Sequence, residues 1–191
     1  MDTKGKIRSI IDAVSPISEA AMQKLENLVQ FSTITKGSDL TAVGQSNAYE
    51  YFVIDGICKS FLFNPEGEEI TLSFFMSNAI ISPFTTRVKN GKSLINIKAL
   101  TQLEVASMNA DAFEKLMVDD LEIRRFGNTV LRNELIEKVQ KEIALASSPA
   151  KIRLQNLRKK FPNIENSIPH ADIASYLGIT TISLSRLRSQ S

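Results

Sequence analysis

Apolar positions change period along the chain. Near the start they recur at helical spacing. Ile7, Ile10, Ile11 and Val14 share one face, Ser15-Pro16 interrupts, Ser18 supplies a cap, and Met22, Leu25, Leu28 and Val29 form a second stripe. From about Phe31 to Asn109 the pattern turns to short β-type runs separated by turn residues. Tyr51-Phe52-Val53-Ile54 and Ile57-Cys58-Lys59-Ser60-Phe61-Leu62-Phe63 flank Asp55-Gly56. Asn64-Pro65-Glu66-Gly67 then leads into Ile70-Thr71-Leu72-Ser73-Phe74, a hairpin reading. Further runs lie at Leu94–Ala99 and Leu103–Ser107, after the turn at Asn90-Gly91. Many short strands at this spacing predict a sandwich or jelly-roll barrel.

Asn109 is placed to cap a helix whose inner face carries Phe113, Leu116 and Met117. From Asp120 to Ala146 there is no proline and one glycine, Gly127. The apolar positions there are Leu121, Ile123, Phe126, Val130, Leu131, Leu135, Ile136, Val139 and Ile143, too wide a band for a helix with one small neighbour. One side is expected to cover the barrel and the other to meet a second subunit; packing within a single chain is the alternative. Ser147-Ser148-Pro149 marks the next boundary. The chain thus divides into a barrel with flanking helices (1–118), a long connecting helix (119–146) and a C-terminal unit (147–191), without internal repeats.

The 191 residues carry a formal net charge of +2, and its distribution matters more than its size. Residues 1–146 hold 16 Lys/Arg against 19 Asp/Glu, whereas residues 147–191 hold 7 against 2. An acidic body with a basic tail is the footprint of a chain that meets a polyanion with its tail. The single cysteine, Cys58, excludes an internal disulfide, and with the single histidine, His170, it leaves no ligand set for zinc, an iron–sulfur cluster or a cupin-type metal. Adjacent carboxylates such as Glu68-Glu69 and Asp119-Asp120 splay apart, so no catalytic or metal-binding constellation emerges. No apolar run reaches membrane-spanning length and the first residues lack a signal-peptide core, so no membrane partner and a reducing cytoplasm are expected.

The segment from Pro169 to Arg188 carries the function. Pro169 suits a helix start; Ile173, Ala174 and Leu177 share a face, and the small Ala174 permits a second helix to cross closely. Gly178 suits a left-handed helix end, Ile179 plugs the core, and Thr180 or Thr181 can cap the next helix, where Leu184 and Leu187 point inward. Its outward side holds Thr181, Ile182, Ser185, Arg186 and Ser189. Arg186 can bond guanine O6 and N7 bidentately, Ser and Thr hydroxyls can reach bases or phosphates, and Ile182 can contact a thymine methyl. Thr180, Arg188 and Ser189 are candidate phosphate contacts. So are Arg158, Lys159 and Lys160, on a predicted basic helix over Lys151–Lys160 built around Ile152, Leu154 and Leu157. A helical hairpin that only packs or binds protein is the competing reading.

The order of barrel, long helix and terminal helix-turn-helix resembles the family of the cyclic AMP receptor protein and the fumarate–nitrate reduction regulator. The residues that carry it are Asp172-Ile173-Ala174-Ser175-Tyr176-Leu177-Gly178-Ile179-Thr180 and Leu184-Ser185-Arg186, similar to that family's DIA-x-x-LG-(I/L)-T…(V/L)-SR signature. Tyr51 to Gly56 and Gly67 to Thr71 resemble its early barrel strands. The resemblance implies an α+β chain with a cyclic-nucleotide-binding-domain-like jelly roll, a homodimer joined along helix 119–146, double-stranded DNA and RNA polymerase as partners, and Arg186 as the base-reading arginine.

Three departures shape the expectation. Between Met76 and Ile97 there is no Gly-Glu pair and no arginine after the loop of the kind that grips a cyclic phosphate. Arg87, Lys89 and Lys92 are the charges left for an effector's anion, with a solvated loop as the alternative. No cofactor is therefore expected, a cyclic nucleotide on a non-standard cassette being the alternative. The cysteine cluster of the iron–sulfur members is absent. Three residues after Arg188 leave no room for a β-hairpin wing, and Phe161–Ser167 is a poor hairpin, which shifts phosphate binding toward Arg158, Lys159 and Lys160.

Overall fold

The computed structural model describes residues 3–189. Helices α1 (Thr3–Val14) and α2 (Glu19–Glu26) come first, the Ser18 hydroxyl accepting from Ala21 N at 3.3 Å to cap the second. Ten strands follow: β1 (Gln30–Ile34), β2 (Asp39–Thr41), β3 (Tyr49–Asp55), β4 (Cys58–Phe63), β5 (Glu69–Phe75), β6 (Ile80–Ile81), β7 (Val88–Lys89), β8 (Lys92–Ser93), β9 (Asn96–Ala99) and β10 (Leu103–Asn109). One helical turn, α3 (Phe84–Arg87), lies before β7. They form antiparallel sheets ordered β1-β10-β3-β6 and β2-β9-β4-β5, plus the ribbon β7-β8.

The two main sheets enclose Val53, Cys58, Phe75, Ile81, Ile97, Ala99, Leu103 and Val105. Alternation along β3 sends Val53 into that interior and Phe52 and Ile54 to the opposite face. There α1, α2 and two later helices bury them against Ile7, Ile11, Leu25, Ile123 and Phe126. A strand covered on both faces reads as a continuous apolar run, which is why Tyr51–Ile54 shows no period of two. At the β3–β4 turn Gly56 has φ +96°, and a Cβ there would sit 2.3 Å from the Gln102 carbonyl, so only glycine fits.

Asn109 caps α4 (Ala110–Asp119) by accepting from Ala112 N at 3.0 Å. Asp120 caps the 27-residue α5 (Leu121–Ser147) through Glu122 N and Ile123 N. At 1.5 Å per residue α5 is about 40 Å long, and it runs from Ile123 and Phe126, packed on the barrel-side core, to Leu145 beside Gly178. Four helices complete the described residues: α6 (Ala150–Lys160), α7 (Ile164–Ser167), α8 (His170–Leu177) and α9 (Thr181–Ser189). The stretch judged a poor hairpin holds the short α7, entered through Asn163 in the left-handed region.

The C-terminal core joins Leu154, Leu157, Phe161, Ile164, Ile173, Leu177 and Leu184 to Ile57, Phe74 and Leu100 of the barrel. Ile152, read as part of that core, is 43% exposed. Beyond residue 147 the C-terminal helices thus share a core with the barrel. A unit of about 45 residues buries too little apolar surface by itself, so a shared core is the economical solution. Among the described residues no helix is long and apolar enough to cross a membrane.

Candidate nucleic-acid interface

Helix α8 starts after Pro169 and ends at Gly178, whose φ of +63° and ψ of 41° make a left-handed stop. A Cβ on Gly178 would approach Leu145 Cδ2 of α5 to 3.2 Å, so the turn is also tight against the long helix. Ile179 N donates back to Ala174 O at 3.0 Å, and the Thr180 hydroxyl accepts from Ser183 N at 3.1 Å, starting α9. Ile173, Ala174, Leu177 and Leu184 are buried, which sets two helices crossing over one core.

That packing leaves Thr181, Ile182, Ser185, Arg186 and Ser189 exposed on α9. Ile182 is 64% exposed, so its aliphatic side chain lies on the outer surface of α9. Among the described residues no hydrogen bond or ion pair holds the Arg186 side chain, and Ser189 Oγ donates to the Arg186 carbonyl at 2.9 Å. A planar guanidinium free of protein partners is available to an external acceptor.

The candidate phosphate contacts divide into two groups. Arg158 grips Glu165 side-on through Nε and Nη2, at 2.6 and 3.2 Å, and Arg188 Nε reaches the same carboxylate at 3.0 Å. The two arginines hold the Glu165 carboxyl below its usual range, Arg158 foremost and against a smaller opposing effect of burial. Lys160 pairs with Glu137 of α5 at 2.7 Å. Lys159 and Thr180 are exposed. Three of the seven tail cations are thus already paired with carboxylates, a feature invisible to a charge count.

Sequence reasoning missed the residues that seat α8 on the barrel. Strand β5 is a sheet edge, with backbone groups that need partners. The Ser175 hydroxyl supplies them, accepting from Thr71 N at 2.9 Å and donating to Glu69 O at 3.1 Å. Lys59 of β4, 2% exposed, bonds Asp172 at 2.6 Å and also Glu69, whose other oxygen takes Lys98 at 2.9 Å. The Tyr176 ring lies 5.1 Å from that of Phe74 and covers Lys141 of α5. A signal existed: Lys59 is the one charge in an otherwise apolar-rich strand run.

The barrel candidates separate. Arg87 is 1% exposed and turned inward, donating to Ser82 O at 2.7 Å and to Tyr49 O, with the Tyr51 and Phe84 rings at 5.3 and 5.9 Å. It is neither loop surface nor open to a ligand's phosphate; its bonds tie α3 to β3. Lys89 and Lys92 are exposed and face each other across the β7–β8 ribbon. Cys58 lies in the barrel interior, where burial pushes its thiol up to about 12, so it is a small hydrophobe and not a nucleophile. Among the described residues no group of three or more His, Cys, Asp or Glu could hold a metal.

No family model matches the chain, and no curated protein matches it in sequence. Solved structures do match in fold. FixK2 from Bradyrhizobium japonicum superposes with a TM-score of 0.73 at 18% identity, over 85% of this chain and 83% of its own. The c-di-GMP-responsive global regulator CLP from Xanthomonas campestris gives 0.69 at 15%, over 91% of both chains. A protein from Eubacterium rectale described as a transcriptional regulator of the CRP/FNR family gives 0.66 at 17%, over 90% and 82%. The chain has the fold of these proteins from barrel to terminal helices.

Proposed function

We propose that the chain is a sequence-specific, DNA-binding transcription regulator of the CRP/FNR type, acting as a homodimer in the cytoplasm with its barrel as the sensory unit. The observation that carries this reading is the outward face of α9: Arg186, whose side chain has no hydrogen-bond or ion-pair partner among the described residues, flanked by exposed Thr181, Ile182 and Ser185 on a helix-turn-helix scaffold. Two copies would join along α5, whose outer side exposes Leu121, Leu135, Ile136, Val139 and Ile143 at 56, 64, 47, 45 and 58%. Contact with RNA polymerase belongs to the same reading. No catalytic role is assigned.

The sensory part of the reading does not run through the family's usual cyclic-nucleotide cassette. The segment after β5 offers Pro83 and a buried Arg87 where a phosphate would need an open arginine and free backbone N–H groups.

Binding to promoter fragments from the source genome, with competitor DNA at near-physiological salt, tests the proposal. One or a few fragments should be retained at least about a thousandfold better than random duplex. Uniform weak binding to every fragment would instead favour a protein-interaction module. Calorimetric titration with cyclic AMP and cyclic GMP tests the second part, and saturable heat would restore a cyclic nucleotide as effector.

A further inference from the structure

A cleft of about 810 Å³ lies between β5, β6, the inner side of α5 and the C-terminal unit. That volume is in the range of sites for small organic ligands. Its walls are mostly apolar, from Leu72, Phe74, Phe75 and Ile80 of the barrel to Val130 and Leu145 of α5. Three lysines reach it, and two have carboxylate partners: Lys138 with Glu134 at 2.9 Å, and Lys160 with Glu137 at 2.7 Å. Lys141 has none. Its Nζ donates to the Leu72 carbonyl and sits 3.9 Å from the centre of the Tyr176 ring.

A partly buried ammonium facing a carbonyl and a ring is under-compensated, because desolvation is not offset by an opposite charge. Burial, with Lys138 and Lys160 nearby, depresses the Lys141 pKa to about 8, which still leaves it largely protonated at neutral pH. The remaining carboxylate on the lining, Glu142, is exposed.

The cleft is not the surface on which a second copy would sit. At 100° per residue, Val130, Glu134, Glu137 and Lys141 fall on one side of α5, and Leu135, Val139 and Ile143 fall roughly 150° away. A dimer formed on the apolar stripe leaves the cleft unfilled.

We propose that this cleft is an effector site for amphiphilic monocarboxylates, with the carboxylate on Lys141 and the hydrocarbon body along Leu72, Phe74, Phe75 and Ile80. It rests on the reading of the barrel as a sensor and names the ligand class. The fit is one of charge and polarity: a single compact anion at one end, and apolar walls without an arginine fork or paired hydroxyl readers along the rest. The same lysine touches β5 and the ring of Tyr176 in α8, so a ligand that draws it from the Leu72 carbonyl acts on the joint that seats the DNA-binding unit.

The test is isothermal titration of the full chain with decanoate and with decan-1-ol, both below the concentrations at which they aggregate. Decanoate should bind about tenfold or more tightly than the alcohol, the worth of one charged contact. Lys141→Gln, which keeps a donor for Leu72, should bring the two to parity and leave the alcohol unchanged; Lys141→Arg should keep the preference. Equal affinities in the unaltered chain, no binding of either, or a preference that survives Lys141→Gln overturns the proposal. The unaltered ratio decides the matter should a variant fail to fold. Promoter binding is measured on the same protein: DNA binding without decanoate binding overturns the ligand class alone. Decanoate binding without DNA binding upholds the site and overturns the regulator reading alone.

Discussion

Lys59 of β4 and Asp172 of α8, 113 positions apart, meet at 2.6 Å, joining the barrel to the first helix of the helix-turn-helix. Glu69 is the second acid on the same ammonium, and Lys98 is the second base on Glu69. Burying Lys59 is tolerable only because two carboxylates receive it.

Removing the lysine and removing one acid should therefore differ. Lys59→Ala leaves Glu69 and Asp172 with Lys98 as the remaining base nearby, and should cost about 2–4 kcal/mol. Asp172→Ala leaves Lys59 with Glu69 and should cost about 1–2 kcal/mol. The double variant should cost about 1–3 kcal/mol less than the sum, read from urea unfolding followed by circular dichroism. Strict additivity would mean that the two residues do not interact in solution.

Arg186 and the tail cations should separate specificity from affinity. Arg186→Ala should lower the preference for the best promoter fragment by about 1–3 kcal/mol while leaving binding to random duplex nearly unchanged. Lys159→Ala should weaken all duplexes alike and reduce the salt slope by about one. Glu165→Gln frees Arg158 and Arg188, and should strengthen binding to every sequence and steepen the salt dependence. A base preference that survives Arg186→Ala would place sequence readout elsewhere.

The apolar stripe of α5 gives a third expectation. Leu135 and Val139 are 64 and 45% exposed and are not part of any of the three cores. Leu135→Glu with Val139→Glu should convert a dimer into a folded monomer, seen by sedimentation equilibrium, and lower promoter affinity at least about a hundredfold by removing the second half-site contact. An unaltered chain that sediments as a monomer at all concentrations would remove the basis for this prediction.

Glu50 makes stability depend on pH near neutrality. Burial raises its carboxyl from an ordinary value near 4.5 to about 7, against the Phe84 N–H at 2.9 Å and the Arg87 charge. An acid whose pKa is raised on folding holds its proton more tightly in the folded chain. Its contribution is full below about pH 4.5 and is lost as pH rises through 7. Unfolding midpoints in urea should decline between pH 5 and pH 8 on this account. Glu50→Gln, which still accepts from Phe84, should flatten that slope; identical slopes in both chains would show that another group titrates.

Several features could be read from residue order because they depend on neighbours in sequence. Helical spacing, the caps at Ser18, Asn109 and Thr180, the stop at Gly178 and the β runs from Tyr51 to Phe74 are local events. Backbone conformation and short-range hydrogen bonds decide them within a few residues. The outward side of α9 was legible for the same reason: once Leu184 is buried, the 3.6-residue period leaves Arg186 and Ile182 outside.

What no local pattern carried is which side chains meet across the chain. Arg87 looked like a loop cation and is a buried tie between α3 and β3, because the backbone carbonyls of Ser82 and Tyr49 converge on it only after the barrel closes. Arg158 and Arg188 counted as free charge until α7 brought Glu165 between them. Ser175 and Tyr176 occupied the unspecified positions of a motif, yet they are the residues that reach the edge of β5 and cover Lys141. Periodicity and capping arise from the chain's own covalent geometry, so the sequence alone determined the longer helices, the strands from Tyr51 to Phe74 and the exposed face of the last helix. Counter-ions, edge partners and cavities arise from distance in space, and only the tertiary structure could decide them.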